Sequence, residues 1–436
     1  MTDIRNESTP EGTAPSGGAS QRQIKVALFI LTIVYAFNFI DRQILVIMQE
    51  AIKVDLGLSD TQLGILSGFS FAIFYVTAGL PIARYADRAN RRNIVATALA
   101  VWSSMTAISG LVQNYWQLVL ARIGVGIGEA GGSPPSHSMI SDMYPPEKRA
   151  TALAIYSSGL YLGVLLGYLI GGYFSDVYGW RMTFFLVGIP GVLLAIVVRF
   201  AIKEPIRGQF DEGVALKERP SFLQTLKFLM TLKSFPYFAF GCAMSAFVSY
   251  GVGNFMPSFM IRYHGFSPTE VGFILSATNG LAGMIGTFLG GWAADRLSKY
   301  DVRWYMWFPA ITGGLAIPVG VFAYNTDNST LMIALAFFQL VLSATYLAPA
   351  IAMSHRLSGP VMRAMASAVL FFILNLIGLG LGPVVVGALS DIIREITGNE
   401  SLREALTITV MIALVKVFLF YKAGKNLNAD LEAGQK

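Results

Sequence analysis

The sequence predicts an all-α membrane protein: twelve transmembrane helices in two pseudo-symmetric six-helix halves. Three observations lead there. The 436 residues are 54% hydrophobic and only 13% charged, whereas soluble domains carry about a quarter charged residues. Twelve apolar runs reach the ~20 residues that cross a bilayer. Landmarks of the first six runs recur in the second six.

The runs lie at roughly 24–50, 61–83, 93–113, 115–141, 149–175, 181–201, 235–261, 268–293, 304–323, 330–354, 363–390 and 404–422. Before them, residues 1–23 are rich in Ser, Thr, Gly and Pro and lack the basic start and apolar core of a signal peptide. They are expected to be a disordered tail. The halves are then 24–201 and 235–423, joined by a polar linker over 202–234 that holds Lys203, Glu204, Arg207, Asp211, Glu212, Lys217, Glu218 and Arg219. The last stretch of that linker, Phe222 to Leu232, mixes apolar residues with Lys227 and reads as a helix along the membrane surface. Residues 424–436 form a second tail. Lys and Arg collect in the loops on the side that carries both ends of the chain, which places both termini in the cytoplasm.

The repeat is specific. Ala83-Arg84-Tyr85-Ala86-Asp87-Arg88 after run 2 matches Gly291-Trp292-Ala293-Ala294-Asp295-Arg296 after run 8, and Arg149-Ala150 matches Arg363-Ala364. Such spacing reads as a parallel repeat about an axis along the membrane normal.

Composition also excludes. The net charge of +6 comes from short basic clusters between apolar runs, so no nucleic-acid partner is expected. The single cysteine, Cys242, excludes an internal disulfide and a cysteine metal cluster. His137, His264 and His355 are scattered, and no metal or cofactor is expected. No run supplies a nucleophile with its base, so the chain is not read as an enzyme. Rings of like charge or carbonyl filters, the signs of a channel, are missing as well.

Charges inside the apolar runs are costly and mark function. Run 1 holds Asn38-Phe39-Ile40-Asp41-Arg42 and run 4 holds Arg122 and Glu129. At 1.5 Å per residue, Asp41 lies about 22 Å from the cytoplasmic entry of run 1, and Arg122 about 10 Å from the outer entry of run 4. In a ~30 Å core these depths nearly coincide, which predicts that Arg122 faces Asp41. Glu129 lies two turns further along nearly the same face. The four charges sum to zero. Asp41 is the first candidate for protonation and Glu129 the second, with Arg42 and Arg122 as their partners or as ligands of an anionic headgroup. Asn38 shares the face of Asp41. Asn38, Arg42, Arg122 and Glu129, together with Tyr250, Asn254, Asn279 and Asn375 from the largely uncharged second half, are the candidate cavity residues.

Twelve runs, a long central loop and a paired Asp-Arg loop resemble the major facilitator superfamily. The loop signature is kept at Asp87, Arg88, Arg91 and Arg92, while Ala83 and Asn90 stand where glycines are usual. Arg122 to Ala130 resembles the family's fourth-span motif. Gly163, Gly167, Gly171 and Gly172 resemble its antiporter motif, with Tyr168 in place of the usual proline. Within the superfamily, Asn38 to Arg42, Arg122 to Glu129 and Gly179-Trp180-Arg181 resemble the spinster-like branch, and the compact loops resemble its bacterial members.

The resemblance implies a secondary transporter working by alternating access, proton-coupled, that moves a lysolipid or similar amphiphile. It further implies a monomer, with protons, membrane lipid and a lipid-like small molecule as partners, in a bacterial inner membrane. It assigns Asp87, Arg88, Arg92, Arg149, Asp295 and Arg296 to a cytoplasmic gate, with Asp87 reaching the start of run 11. An organic-anion or multidrug carrier of the same superfamily is the second reading. A receptor that binds an amphiphile without moving it is a third.

Overall fold

The computed structural model describes residues 20–210 and 220–433. The first tail up to residue 19, linker positions 211–219 (with Asp211, Glu212, Lys217, Glu218 and Arg219) and residues 434–436 lie outside the described residues.

The described chain is helical, without strands. Nine of its helices are long and apolar enough to cross a membrane. One of these, Pro146–Ala201, reverses at Gly179 (φ 79°, ψ 161°), a backbone conformation that favours glycine, and so supplies spans 5 and 6. Arg91–Ser109 is span 3. Tyr115–Glu129 and Ser133–Met143, separated by a turn over Gly131 and Gly132, make span 4. The total is twelve. The others are span 1 (Gln21–Leu56), span 2 (Asp60–Ala86), span 7 (Phe235–His264), span 8 (Pro268–Leu297), span 9 (Trp304–Asn325), span 10 (Ser329–Gly359), span 11 (Val361–Thr397) and span 12 (Leu402–Ala433).

Span ends are written into the sequence. Gly57 (φ 64°) stops span 1, and Ser59 two residues later starts span 2 by accepting from the Gln62 amide. Gly265 and Ser267 do the same between spans 7 and 8. The linker contains the helix Phe222–Thr231, whose Leu229 is buried. The second tail was placed from residue 424, but span 12 runs on as helix to Ala433. There Asp430 accepts from the Lys233 and Ser234 amides at 3.0 and 2.6 Å and so caps the start of span 7.

Contacts between the halves gather at one end. We call it the far end, opposite the near end where span 1 begins and span 12 finishes. Spans 5 and 8 touch backbone to backbone there: a Cβ on Gly272 would stand 2.4 Å from the Tyr168 carbonyl oxygen, and one on Gly172 2.5 Å from that of Pro268. Spans 2 and 11 meet in the same way, with Gly64 against Pro383 and Gly387 against Asp60. Each carries a π turn, Ile65–Phe69 and Asn375–Leu379. Toward the near end, Gly79, Gly280 and Gly283 have open space around them.

Replacing Gly272 with Leu is expected to force spans 5 and 8 apart, at about 1–3 kcal/mol of overpacking. Thermal unfolding of purified protein checks this, and an unchanged melting temperature together with an unchanged far-end spin-label distance would refute the constraint.

Candidate functional site

Span 4 approaches spans 2 and 3 on a glycine face. A Cβ on Gly126 would meet the Phe71 carbonyl oxygen at 2.7 Å, and one on Gly128 would meet Trp102 at 2.8 Å. This packing sets Arg122 and Glu129 beside span 1. Arg42 donates from Nε and Nη2 to one oxygen of Glu129, at 2.8 and 2.7 Å. Its guanidinium also lies within 4.6 to 5.1 Å of the ring centres of Phe39, Phe71 and Tyr75, a cation–π cage that holds it in one orientation.

The second pair is looser. Asp41 accepts from the Thr106 hydroxyl at 2.5 Å, and Arg122 stands 4.0 Å away, the outer limit of an ion pair. Arg122 donates instead to Ser109 at 3.2 Å and lies 5.4 Å from the centre of the Phe184 ring. The depth argument thus brought Arg122 to Asp41's side. Two further buried oxygens, Asp41 Oδ2 and Glu129 Oε1, have no hydrogen-bond partner among the described residues.

Two chambers adjoin these groups. The smaller, about 140 Å³, is lined by Arg42, Arg122 and Glu129 from the first half and by Tyr250 and Asn254 from the second. The larger, about 320 Å³, lies mainly in the second half among Met256, Met260, Ile274, Leu275 and Phe337, with Asn279 at its edge. Gln43, Tyr168, Ser249 and Gly253 line both chambers, which therefore adjoin. The Tyr168 hydroxyl accepts from Asn279 Nδ2 at 3.3 Å, a polar bridge between the halves where the chambers adjoin.

Three expectations need correction. Asn38 does share the face of Asp41, but that face turns into the first half. Both residues are buried, at 4% and 2% exposure, and neither lines a chamber. Adjacent residues on a helix point about 100° apart, so turning Arg42 to the chamber turns Asp41 away from it. Asn375, at the start of the span 11 π turn, lines neither chamber. The second half was read as nearly free of interior charge, yet Lys416 of span 12 is buried at 2% exposure against Gly313. A lone lysine within the last apolar run was its visible signal.

Among the described residues, Asp87, Arg88, Arg92, Asp295 and Arg296 form no ion pair across the halves. Asp87 and Arg88 are exposed, and neither makes an ion pair among the described residues. Arg92 rests its guanidinium on Asn93 at 3.0 Å, while its amide donates to Glu204. Arg149 is half-buried. Asp295 accepts from the Tyr305 hydroxyl at 2.6 Å, and Arg296 lies 6.0 Å from the Trp292 ring. Asp87 makes no hydrogen bond or ion pair with span 11 among the described residues. Arg91, part of the loop signature but not among the gate candidates, is the buried member of that loop. It binds Glu204 and Ser138 at 2.8 Å and also pairs with Asp142.

The charged crossing lies at the far end instead. Arg262 of span 7 binds both oxygens of Asp60 at 2.9 and 2.8 Å and Glu50 at 2.9 Å. Lys53 and Ser390 also donate to Asp60, each at 2.7 Å. Asp391 of span 11 accepts from the Thr61 amide at 2.7 Å. Charges at the ends of four runs were the available sign, but nothing in their spacing pairs them.

The comparisons with known proteins agree with this geometry. The model of the Major Facilitator Superfamily matches residues 31–258 and 238–429. A protein of Mycolicibacterium smegmatis described as an MFS-type efflux pump is 33% identical over 94% of this chain and 95% of its own. A solved structure of a bacterial homologue of the human lysosomal transporter spinster, inward-facing and unoccupied, is 30% identical with a TM-score of 0.88, covering 94% of this chain and 99% of that one. The sphingosine-1-phosphate transporter SPNS2 of Danio rerio is 30% identical over 54% of this chain and 48% of its own.

Removing Arg262 as Arg262→Ala leaves Asp60 and Glu50 without their shared cation, a change that costs about 3–5 kcal/mol for a buried pair. The far end is expected to open. A cysteine at Ile52, 0% exposed, in a Cys242→Ser background is then labelled at least tenfold faster by a polar thiol reagent. Equal labelling rates with and without Arg262 would show that the crossing does not hold the far end shut.

Proposed function

The chain belongs to the Major Facilitator Superfamily, in its spinster-like branch, and from that premise we propose a proton-coupled transporter that moves a lysolipid or similar single-chain amphiphile by alternating access. It is a membrane transporter rather than an enzyme. The observation that carries the substrate reading is the pair of chambers. One is charged and aromatic around Arg42 and Glu129, the other apolar, and they adjoin at Tyr168. An anionic head suits the first and an acyl tail the second.

In this reading Glu129 is the main protonation site. Its support is position, since Glu129 lines the smaller chamber and Asp41 does not. While Glu129 is ionised, Arg42 is spent on it. A proton on Glu129 removes the charge of the acceptor and leaves Arg42, still held by its aromatic cage, to bind a phosphate or carboxylate head bidentately. Deprotonation restores the ion pair and expels the head. Asp41 and Arg122 form the second pair, adjusted through the first-half interior, with Thr106 and Ser109 as their alternative partners.

The closed far end and the open space around Gly79, Gly280 and Gly283 support a cavity facing the near end, which the basic loops assign to the cytoplasm. Alternating access then requires the Asp60–Arg262 crossing to break and the near-end loops, Asp87 among them, to meet across the halves. A bacterial inner membrane and a monomeric unit complete the proposal.

A second reading has one observation in its favour: the smaller chamber alone, about 140 Å³ with two arginines, suits a small organic anion. The test is flux of labelled lysolipids and of small carboxylates in liposomes, with and without a pH gradient. The lysolipid reading expects acid-driven movement of the lipid only. Movement of the carboxylates alone selects the anion carrier, and binding without flux selects a receptor. Glu129→Gln, a mimic of the protonated state, is expected to abolish the response to the gradient, and Asp41→Asn to weaken it. A full response in Glu129→Gln removes Glu129 from that role. Met256→Trp, which fills the apolar chamber, is expected to weaken lysolipid binding by about 1–3 kcal/mol, roughly five- to 150-fold, while leaving the ion pair in place. Undiminished binding would place the tail elsewhere.

A further inference from the structure

We propose that a groove on the outside of the first half binds one membrane phospholipid with an anionic headgroup. The groove holds about 670 Å³, and no residue of the second half or of the charged site lines it. Its walls come from spans 2, 3 and 4, with Tyr85 on one side, Asn93 and Thr97 on the other, and Ile127 and Gly131 at the back. Tyr85, Ile127 and Val101 expose 64%, 41% and 38% of their surfaces, so the groove opens on the membrane-facing perimeter.

Its composition is graded along its length. Asn90, Asn93 and Tyr85 lie at the near end, and the remainder toward Val101 and Ile127 is apolar apart from Thr97. From Asn90 to Val101 span 3 advances about 16 Å, half of a ~30 Å hydrocarbon core. The groove therefore has the depth of one leaflet, with its polar end at the headgroup level.

Two guanidinium groups are held beside that polar end, and two more adjoin it in the chain. Arg92 is held on Asn93, a groove residue, at 3.0 Å. Arg207 reaches over from the linker to the carbonyl oxygens of Ala86, at 2.8 Å, and of Ala89, another groove residue. Arg84 and Arg88 flank Tyr85 and Ala89 in the chain, are exposed, and make no ion pair among the described residues. Against these four stands the exposed carboxylate of Asp87. Asp142 and Glu204 nearby are already engaged by Arg91. The excess of positive charge, the ability of guanidinium to bind phosphate bidentately and the leaflet-deep apolar slot together specify a phosphate-bearing, net-anionic lipid rather than a zwitterionic one. Positive charge in near-end loops also serves topology, but topology does not require an apolar groove beneath it.

The test uses the full-length protein in mild detergent, given equimolar phosphatidylglycerol and phosphatidylcholine with matched chains and examined by native mass spectrometry. One phosphatidylglycerol is expected to be retained in preference. Arg88→Gln with Arg92→Gln is expected to reduce that preference by about fivefold for each arginine, and Arg88→Lys to keep much of it. Thr97→Trp, an exposed position where added bulk occupies the slot, is expected to lower retention of the bound lipid. Equal retention of the two lipids by the wild type would overturn the proposal. So would a preference unchanged by the double arginine variant, displacement by millimolar inorganic phosphate, or displacement by a lysolipid that the protein transports, which would assign the groove to substrate.

Discussion

A charge inside a membrane-spanning bundle must have a partner, and most of this architecture follows from that constraint. An unpaired carboxylate or guanidinium at mid-membrane costs at least a few kcal/mol, and removing one member of a buried pair costs about 3–5 kcal/mol. The interior charges of the first half answer it in two ways. Arg42 and Glu129 take each other at close range, while Asp41 and Arg122 lean on Thr106 and Ser109 and stand 4.0 Å apart. The first arrangement is tight and faces a chamber. The second is slack; its carboxylate faces the packing between spans 1, 3 and 4, while Arg122 borders the smaller chamber. Lys416 departs from the pattern, buried in the second half against a glycine and without an ion pair among the described residues.

The same constraint shapes the contact between the halves. At the far end Asp60 collects Arg262, Lys53 and Ser390, so both of its carboxylate oxygens are engaged across the seam or beside it. Glycines on spans 2, 5, 8 and 11 let the backbones meet within van der Waals distance around this cluster. At the near end Arg91 and Asp295 find partners within their own half or the adjoining linker. Arg91 pairs with Asp142 and Glu204, and Asp295 with Tyr305. The polar crossing is dense at the far end, while Asp87, Arg88, Arg92, Asp295 and Arg296 make none at the near end among the described residues, an asymmetry that fits the proposed alternation. The π turns of spans 2 and 11 lie between the two ends and abut the smaller chamber through Leu66, Ser67 and Leu379. A bend in either span would therefore alter the surroundings of Arg42, whose cage includes Phe71 just past the first π turn.

Much of the fold was legible because hydrophobic length and loop charge act locally. Twelve runs gave twelve spans, and Gly57 with Ser59 marks one boundary to the residue. The breaks were less legible: the turn within span 4 and the continuation of span 12 to Ala433 depend on neighbours, Asp430 continuing the helix because it caps span 7. At the site, the residue types and depths of Asp41, Arg42, Arg122 and Glu129 were readable, since polarity in an apolar run is visible and rise per residue is constant. Which carboxylate faces the chamber was not, because a 100° step decides it and the depth argument carries no azimuth. Asn38, on the face of Asp41, turns away from both chambers for that reason. Asp60 and Arg262 are 202 residues apart, and no periodicity links them.

By itself, then, the sequence determined that this chain lives in a membrane, how many times it crosses, that its two halves repeat and that four charges lie inside the spans of the first half, because each of these depends on residue type and one-dimensional spacing. The tertiary structure alone decided that Arg42 belongs to Glu129, that the halves are joined at the far end, and that a charged and an apolar chamber meet at Tyr168. Those depend on the rotation of each helix about its axis and on which surfaces touch, quantities that packing sets and a linear pattern does not contain.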